Sequence, residues 1–462
     1  MLIDYFIALT ISIGVVSLGA IWIAYRRSHD ALHPMIFLGL MLFYLYSYLP
    51  LSLAQKNSAH LQTFLSAQQL EYVQTINFVG VLSICLGVLI SARRTSFSPF
   101  LQNSWILTIS VRRRLQRGAI VCGFLGILGF VYGIIQRGGL SSAYGRAYGG
   151  GWSESGYIRE AILLTLPALL WFMVSHLHQK MKLKDWGWIF LFTAPILIHG
   201  LLGARRGPTA MILIASVVGW FFVRFKRPHL RQVVLGAVAL GTLMLFLVAN
   251  RGSIYLGSDF DFTNSSSYAS EIVSSNEFIY GGGVIVNANS TNTFFWGRRY
   301  FTILFIRPIP RFLWPSKYQD ASRMLGIPNL ELNLGTGGET FVETLGWAGA
   351  VGSAPGIVAD MWLEFWWFSP FVLFAIGWLY GMTWRRAIRR GGLWILIYTL
   401  LAALSVYLVM QTLEAMAFRF LLMTGAAWLI WKYSTDGRSF QTQSSVLPYS
   451  SHTSPMQSSF YK

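Results

Sequence analysis

Long apolar segments recur along the whole chain, and they constrain its fold more than any other feature. A helix needs about 20 apolar residues to cross the hydrocarbon core of a bilayer. Only 12% of the 462 residues are charged, which is about half the share found in soluble domains. The segments are helix-length, whereas the strands of an outer-membrane barrel are short and alternate in hydropathy. The sequence therefore predicts an all-α, polytopic membrane protein.

We predict eleven transmembrane helices from these segments. The first is expected to be retained, because Asp4 replaces the basic start of a signal peptide and Arg26 and Arg27 follow the apolar run. Cys85 and Cys122 fall inside apolar segments, so no disulfide framework or thiolate metal site is expected. The predicted spans are 5–24, 34–53, 72–91, 118–135, 160–176, 186–203, 209–223, 232–249, 367–384, 393–411 and 416–431.

The distribution of Lys and Arg predicts the orientation of the chain. Basic residues in short loops are retained in the cytoplasm, and an external N-terminus places most of the 36 Lys and Arg residues in the inner loops. The net charge of +18 is then a topology signal that also holds the inner loops against anionic lipids. Nucleic acid is not needed to explain it. We expect a periplasmic N-terminus and a cytoplasmic C-terminus in the inner membrane of a bacterium.

One long segment on the outer side interrupts the series of spans. It is polar, Gly-rich and aromatic, and its many aromatic residues predict that it folds back onto the membrane. The stretch from Phe294 to Trp314 mixes aromatic residues, Arg and Pro, as interfacial helices do. The predicted organisation is helices 1–8 in 1–249, a large periplasmic loop with interfacial helices in 250–366, helices 9–11 in 367–431, and a disordered tail in 432–462.

Arg205 and Arg206 lie at the outer end of the sixth span, although most Lys and Arg residues lie in the predicted inner loops. An arginine at bilayer depth costs roughly 2.5–3.5 kcal/mol on insertion scales and needs a partner. The planar guanidinium matches phosphate oxygens in a bidentate way, and Gly203 and Gly207 allow close backbone approach. We predict that this pair binds a phosphate-bearing ligand. Contact with lipid headgroups is the alternative.

Two other outer clusters of basic residues are candidate binding sites. The first cluster, within residues 298–317, is either a second anion-binding surface or an amphipathic segment that rests on headgroup phosphates. The other, a Gly-rich stretch around Arg146, suits either a mobile flap that stacks on sugars or a plain loop. The residues of the first cluster are Arg298, Arg299, Arg307, Arg311 and Lys317.

Candidate acids and bases also lie on the outer side. Glu343, Asp360 and Glu364 precede the ninth span, and each is either a general base or the counter-ion of an arginine. His199 is either a base or a core histidine bonded to a backbone carbonyl. The Asp259-Phe260-Asp261 pattern of nucleotide-sugar enzymes lies on the wrong side of the membrane. No metal site and no cofactor is predicted, because no metal or nucleotide motif is found.

The chain resembles the bacterial oligosaccharide repeat-unit polymerases, the Wzy-type enzymes of O-antigen and exopolysaccharide assembly. The resemblance rests on the roughly eleven spans, the Gly203–Pro208 turn, the Ile309–Lys317 segment, and the long outer loop that ends in a Gly-rich stretch before Asp360. It implies a GT-C-like glycosyltransferase that joins repeat units carried on undecaprenyl pyrophosphate at the outer face of the inner membrane. Its other partners would be membrane lipids, a chain-length regulator and a flippase.

Departure of pyrophosphate from an anomeric carbon builds negative charge on the leaving group and an oxocarbenium-like sugar. Fixed arginines can stabilise that charge without a metal. We therefore expect Arg205, Arg206 and the arginines of 298–311 to hold the donor pyrophosphate, and Asp360 or Glu343 to activate the acceptor hydroxyl.

Three other functions remain open. A ligase of lipid-linked glycan would share the same architecture. A flippase for the lipid-linked oligosaccharide would be expected to carry charges in the middle of several spans, and few are found there. A purely structural partner of an assembly machinery is the third alternative.

Overall fold

The computed structural model is all-helical, as the sequence predicts. It describes residues 2–93, 107–146, 160–224, 227–250, 252–257, 277–327, 330–331, 341–347 and 353–435. Of these residues, 81% are helical, and none of them forms a strand.

The first ten helices precede the predicted outer segment. A π-helical turn at Tyr44–Tyr48 joins the second to the third, and a 3₁₀ turn at Ala161–Leu164 leads into the seventh. The helices are α1 Leu2–Ser28, α2 Pro34–Phe43, α3 Leu49–Phe64, α4 Ala67–Ser91, α5 Ile109–Gln136, α6 Leu140–Tyr144, α7 Thr165–Ser175, α8 Leu183–Leu201, α9 Arg206–Val223 and α10 Leu230–Ala249.

The predicted outer segment also forms helices where the structure describes it. A second π-helical turn, Thr302–Ile306, extends one of its short helices, and a 3₁₀ turn at Trp366–Phe368 joins its last helix to the next span. The remaining helices are α11 Glu277–Ser290, α12 Arg298–Phe301, α13 Lys317–Leu325, α14 Val342–Leu345, α15 Gly356–Phe365, α16 Ser369–Arg390, α17 Leu393–Met410 and α18 Leu413–Thr435.

Nine helical stretches of the described chain are long and apolar enough to cross a membrane, so this is a multi-pass membrane protein. Each of the eleven predicted spans coincides with a helix, but the fifth and sixth, α7 and α8, are not among the nine. The predicted ninth span is the later part of one stretch of 35 residues, Gly356–Arg390. The eleventh is a full helix, α18, rather than a short one.

Glycines let α4 and α16 pack with their backbones close together. A Cβ atom on Gly87 would lie 2.1 Å from the carbonyl oxygen of Phe374, and one on Gly377 would lie 2.3 Å from that of Ile84. Small residues at such crossings allow membrane helices to approach closely. The pair fixes α16, and with it α15, against the rest of the bundle.

Two helices of the predicted outer segment, α11 and α15, pack against each other and against the bundle. Most of α11 is buried, and a Cβ atom on Gly281 would lie 2.3 Å from the carbonyl oxygen of Pro355, just before α15. The Tyr46 hydroxyl, in the first π-helical turn, accepts a 3.1 Å hydrogen bond from the Val358 amide. These contacts fix the start of α15, which carries Asp360 and Glu364.

Contacts between loops and helix ends define two ends of the bundle. Asp30 lies 3.5 Å from Arg227 and accepts a 3.1 Å hydrogen bond from the Trp384 indole, so two predicted inner loops meet the end of the predicted ninth span. We call this the inner end. The opposite end holds the α8–α9 turn, α11 to α15 and the start of α18, which Arg206, Arg299 and Arg307 link through carboxylates. We call it the outer end.

Candidate functional site

The turn between α8 and α9 fixes the tandem arginines at the outer end. Ala204 has a positive φ of 46°, and the Arg205 amide donates a 2.7 Å hydrogen bond to the carbonyl of Gly200. The Thr209 hydroxyl donates to the Arg205 carbonyl at 3.0 Å. A Cβ atom on Gly207 would lie 2.6 Å from the Tyr407 hydroxyl. Glycine at 207 therefore lets the first turn of α9 lie directly on the Tyr407 ring.

The two arginines of this turn have different surroundings. Arg206 forms an ion pair with Glu277 at the start of α11. Arg205 is partly exposed and acts electrostatically on Tyr144. Burial raises the pKa of Tyr144, although Arg205 and Arg137 oppose the shift.

His199 is a core residue at this end. Its ring is buried, and Nδ1 lies 3.3 Å from the Tyr144 hydroxyl. The structure thus pairs the ring with a tyrosine from another segment. His199 and Arg205 both approach Tyr144, so the structure brings two of the predicted site residues together.

A buried ion cluster lies beneath the segment that follows α11. The Arg299 guanidinium is fully buried and lies 3.2 Å from Glu364, 3.5 Å from Glu414 and 3.6 Å from Asp360. Burial alone would lower the pKa of Arg299, but the three carboxylates together raise it, so Arg299 stays charged. Removal of one partner from such a buried ion pair is costly, because the other charge remains in a low-dielectric interior. We call these residues, with Tyr300, the Arg299 cluster.

Hydrogen bonds hold the carboxylates of the Arg299 cluster in place. Asp360 accepts hydrogen bonds from the Tyr300 hydroxyl and, at 2.9 Å, from the Leu413 amide at the start of α18. Glu364 accepts one at 3.0 Å from the Gly297 amide. Burial and the neighbouring Asp360 raise the pKa of Tyr300 well above its usual range, which keeps this phenol a donor. Asp360 and Glu364 are therefore counter-ions of Arg299 in this structure.

Two further arginines flank the first turns of α18. Arg307 lies 3.3 Å from Glu414 and 5.6 Å from the centre of the Phe418 ring. Arg419, the next residue along α18, lies 3.9 Å from Glu160 and 4.7 Å from the centre of the Tyr407 ring. Because Gly207 packs on the same Tyr407, the α8–α9 turn lies next to Arg419.

Arg206, Arg307 and Arg419 share one arrangement, and we call them the outer arginine triad. Each is paired with a carboxylate, and their side chains are 26%, 32% and 24% exposed. An arginine held on one side and reachable on the other is pre-organised for an anion, because less side-chain freedom is lost on binding. The existing carboxylates mean that an incoming anion would share these guanidinium groups.

The remaining basic residues of the predicted second cluster support the backbone or lie at the surface. Arg298 donates to the carbonyls of Phe294, Phe295 and Leu325, and Lys317 donates to those of Ile306, Arg307 and Ile309. Burial and the nearby Arg311 and Arg307 lower the pKa of Lys317. Arg311 pairs with Glu331 in an exposed position. The five predicted cations therefore divide among four different roles.

Several predicted features lie wholly or partly outside the described residues. Arg146 is exposed, and most of the Gly-rich stretch after it is outside the described ranges. Glu343 lies in α14, but its side chain is not described. Asp259 and Asp261 are also outside these ranges. Within the described residues, no group of three His, Cys, Asp or Glu side chains could hold a metal.

Sequence reasoning missed the partners that hold the site together. Arg419 carried a signal, because it is an arginine within the outer part of the last predicted span. Glu414, Glu277 and Glu160 did not, since each pairs with an arginine that is distant in sequence.

No protein-family model, no curated protein and no solved structure matches this chain.

Proposed function

We propose that this protein is a polymerase that joins oligosaccharide repeat units carried on undecaprenyl pyrophosphate. It would be a metal-independent glycosyltransferase of the GT-C-like class in the bacterial inner membrane, with the outer end in the periplasm. Its product would be an O-antigen or an exopolysaccharide. A chain-length regulator and a flippase would be its protein partners.

The outer arginine triad is the observation that carries this proposal. The leaving pyrophosphate develops negative charge as the glycosidic bond breaks, and positioned cations are worth most where water is partly excluded. Arg206, Arg307 and Arg419 come from three different elements and are each fixed by a carboxylate. Arg205 adds a fourth partly exposed cation beside Arg206.

The position of Asp360 bears on the choice of base. Tyr300, Leu413 and Arg299 surround its carboxylate, which has no exposed surface. A general base must come within hydrogen-bond reach of the acceptor hydroxyl. The enclosed position of Asp360 suits a counter-ion of Arg299. Glu343 is therefore the first carboxylate to test as the base. His199, hydrogen-bonded to Tyr144, is the second.

The test uses purified protein with lipid-linked repeat units as its only substrate. We expect a ladder of polymers that differ by whole repeat units. Arg206→Gln, Arg307→Gln and Arg419→Gln are each expected to slow the reaction on the order of 10²-fold, as loss of a positioned donor does elsewhere. Arg323→Gln is the matched control, because Arg323 is an exposed arginine of the outer end that also pairs with a carboxylate, that of Asp320.

The same experiment separates the alternatives. Transfer of a preformed glycan to a different acceptor, without a ladder, would indicate the ligase. Movement of the lipid across a vesicle membrane without any new glycosidic bond would indicate the flippase. If all three triad variants polymerise as fast as the Arg323→Gln control, the triad does not hold the donor.

A further inference from the structure

A repeated contact between tryptophan and a basic side chain marks the inner end of the bundle. In each of four pairs, the cationic group lies over the indole ring at a distance typical of a cation–π contact. The pairs are Arg26 on Trp22 at 5.0 Å, Arg224 on Trp220 at 4.5 Å, Arg386 on Trp394 at 4.5 Å, and Lys432 on Trp428 at 5.2 Å.

Three of these pairs follow one local rule. In α1, α9 and α18 the tryptophan precedes the basic residue by four positions and lies near the C-terminal end of the helix. Residues four apart share one face of a helix, and side chains lean toward the N-terminus, so the cation folds back over the ring. The fourth pair joins the end of α16 to the start of α17.

The four pairs lie at the same end of the molecule. The loop after α1 contacts both the segment after α9 and the end of α16, through Asp30 with Arg227 and Trp384. The loop between α16 and α17 reaches the end of α18, because a Cβ atom on Gly392 would lie 2.7 Å from the Trp431 ring. The pairs therefore belong to one surface around the inner end.

The outer end is built differently. Arg299, Arg307 and Arg419 there contact Phe or Tyr rings and are paired with carboxylates. At the inner end Trp22 and Trp428 are exposed rings on the outside of the bundle. An exposed indole that carries a cation is amphipathic, and such rings sit at the level of lipid headgroups.

We propose that the four Trp–cation pairs form a binding surface for anionic phospholipid headgroups, which we call the inner Trp–cation surface. The indole would lie at the level of the glycerol and ester groups, and the cation stacked on it would contact the phosphodiester. The stacking restrains a long basic side chain, so less freedom is lost when the lipid binds. This surface does not depend on the transferase activity proposed above.

The test compares the apparent midpoint of thermal unfolding in two kinds of nanodisc. One contains phosphatidylcholine alone, and the other an equimolar mixture of phosphatidylcholine and phosphatidylglycerol. We expect the unsubstituted protein to unfold several degrees higher in the mixture, since a ligand that binds the folded state stabilises it. A variant without the four stacked cations combines Arg26→Gln, Arg224→Gln, Arg386→Gln and Lys432→Gln. It is expected to lose most of that rise.

A matched variant controls for net charge. It neutralises four basic residues of the predicted inner loops for which no tryptophan contact is described: Arg27, Arg93, Lys184 and Arg390, each changed to Gln. This variant should keep most of the rise. Equal losses in both variants would show that only diffuse charge is involved and would overturn the proposal. So would the absence of any rise in the unsubstituted protein. Equal midpoints of all three proteins in phosphatidylcholine alone verify that the substitutions leave the fold intact.

Discussion

A single residue, Arg299, joins three parts of the outer end. Its guanidinium contacts Asp360 and Glu364 on α15 and Glu414 on α18, while its backbone belongs to α12. Each carboxylate also has a second contact, so the loss of Arg299 would leave buried negative charges facing one another. The Arg299 cluster therefore holds α12, α15 and α18 together only when its central cation is present.

Arg299→Gln is expected to destabilise the protein by about 3–5 kcal/mol, as removal of one partner from a buried ion pair does. The measurement is the apparent midpoint of thermal unfolding in detergent, together with the yield of monodisperse protein. Arg323→Gln in α13 is the control, because its side chain is 79% exposed and exposed pairs contribute about 0–1 kcal/mol. Equal midpoints for the two variants would contradict a structural role for the Arg299 cluster.

The sequence predicts a residue's role only where that role does not depend on a partner far away along the chain. Arg205 and Arg206 could be predicted as candidate binding residues, because a charge beside a transmembrane span is energetically unfavourable whichever partner it has. The interpretation of Asp360 and Glu364 as counter-ions was one of two predicted alternatives, and the structure shows ion pairs with Arg299. The pairing of Arg299 with Glu414 joins residues 115 positions apart, and no local pattern specifies such a contact.

At the scale of elements, the crossing of α4 and α16 depends on the absence of side chains. Gly377 and Gly381 are separated by three residues and face Ile84, Val88 and Ser91 of α4, while Gly87 faces Phe374. This is the small-residue spacing found where membrane helices associate. The neighbours at Gly87 and Gly377 are backbone carbonyls, which cannot move aside as a flexible side chain can.

Gly87→Ala and Gly377→Ala are each expected to destabilise the protein by about 1–3 kcal/mol, the usual cost of overpacking. The control is Gly425→Ala in α18, where a Cβ atom would meet no heavy atom within 4 Å. That change should be neutral or slightly stabilising, because alanine favours the helix. Unfolding midpoints in the same detergent measure both effects. A Gly87→Ala protein as stable as Gly425→Ala would show that α4 and α16 can separate without cost.

The helices could be predicted more fully than their irregularities. Apolar length alone located a helix at every predicted span. It did not reveal the π-helical turn at Tyr44–Tyr48, because that turn lies inside an unbroken apolar run. It also placed the start of the ninth span at 367, since Asp360 and Glu364 look like loop residues until Arg299 is seen beside them.

At the scale of the whole molecule, the two ends of the bundle differ in their chemistry. The inner end carries basic side chains stacked on tryptophan, and the outer end carries arginines paired with carboxylates. The positive-inside rule assigns the first of these ends to the cytoplasm. The proposed function needs the second end in the periplasm, where the lipid-linked glycan is extended.

Cysteine labelling in intact cells tests this orientation. Cys85 and Cys122 are free and buried, so a membrane-impermeant maleimide should label the unsubstituted protein only weakly. Arg323→Cys is exposed at the outer end and is expected to react from outside the inner membrane once the outer membrane is permeabilised. Arg390→Cys is exposed at the inner end and is expected to react only after the inner membrane is opened as well. The reverse pattern would place the outer arginine triad in the cytoplasm, where the proposed polymerase could not work. It would also require the basic loops to have crossed the membrane against the charge rule.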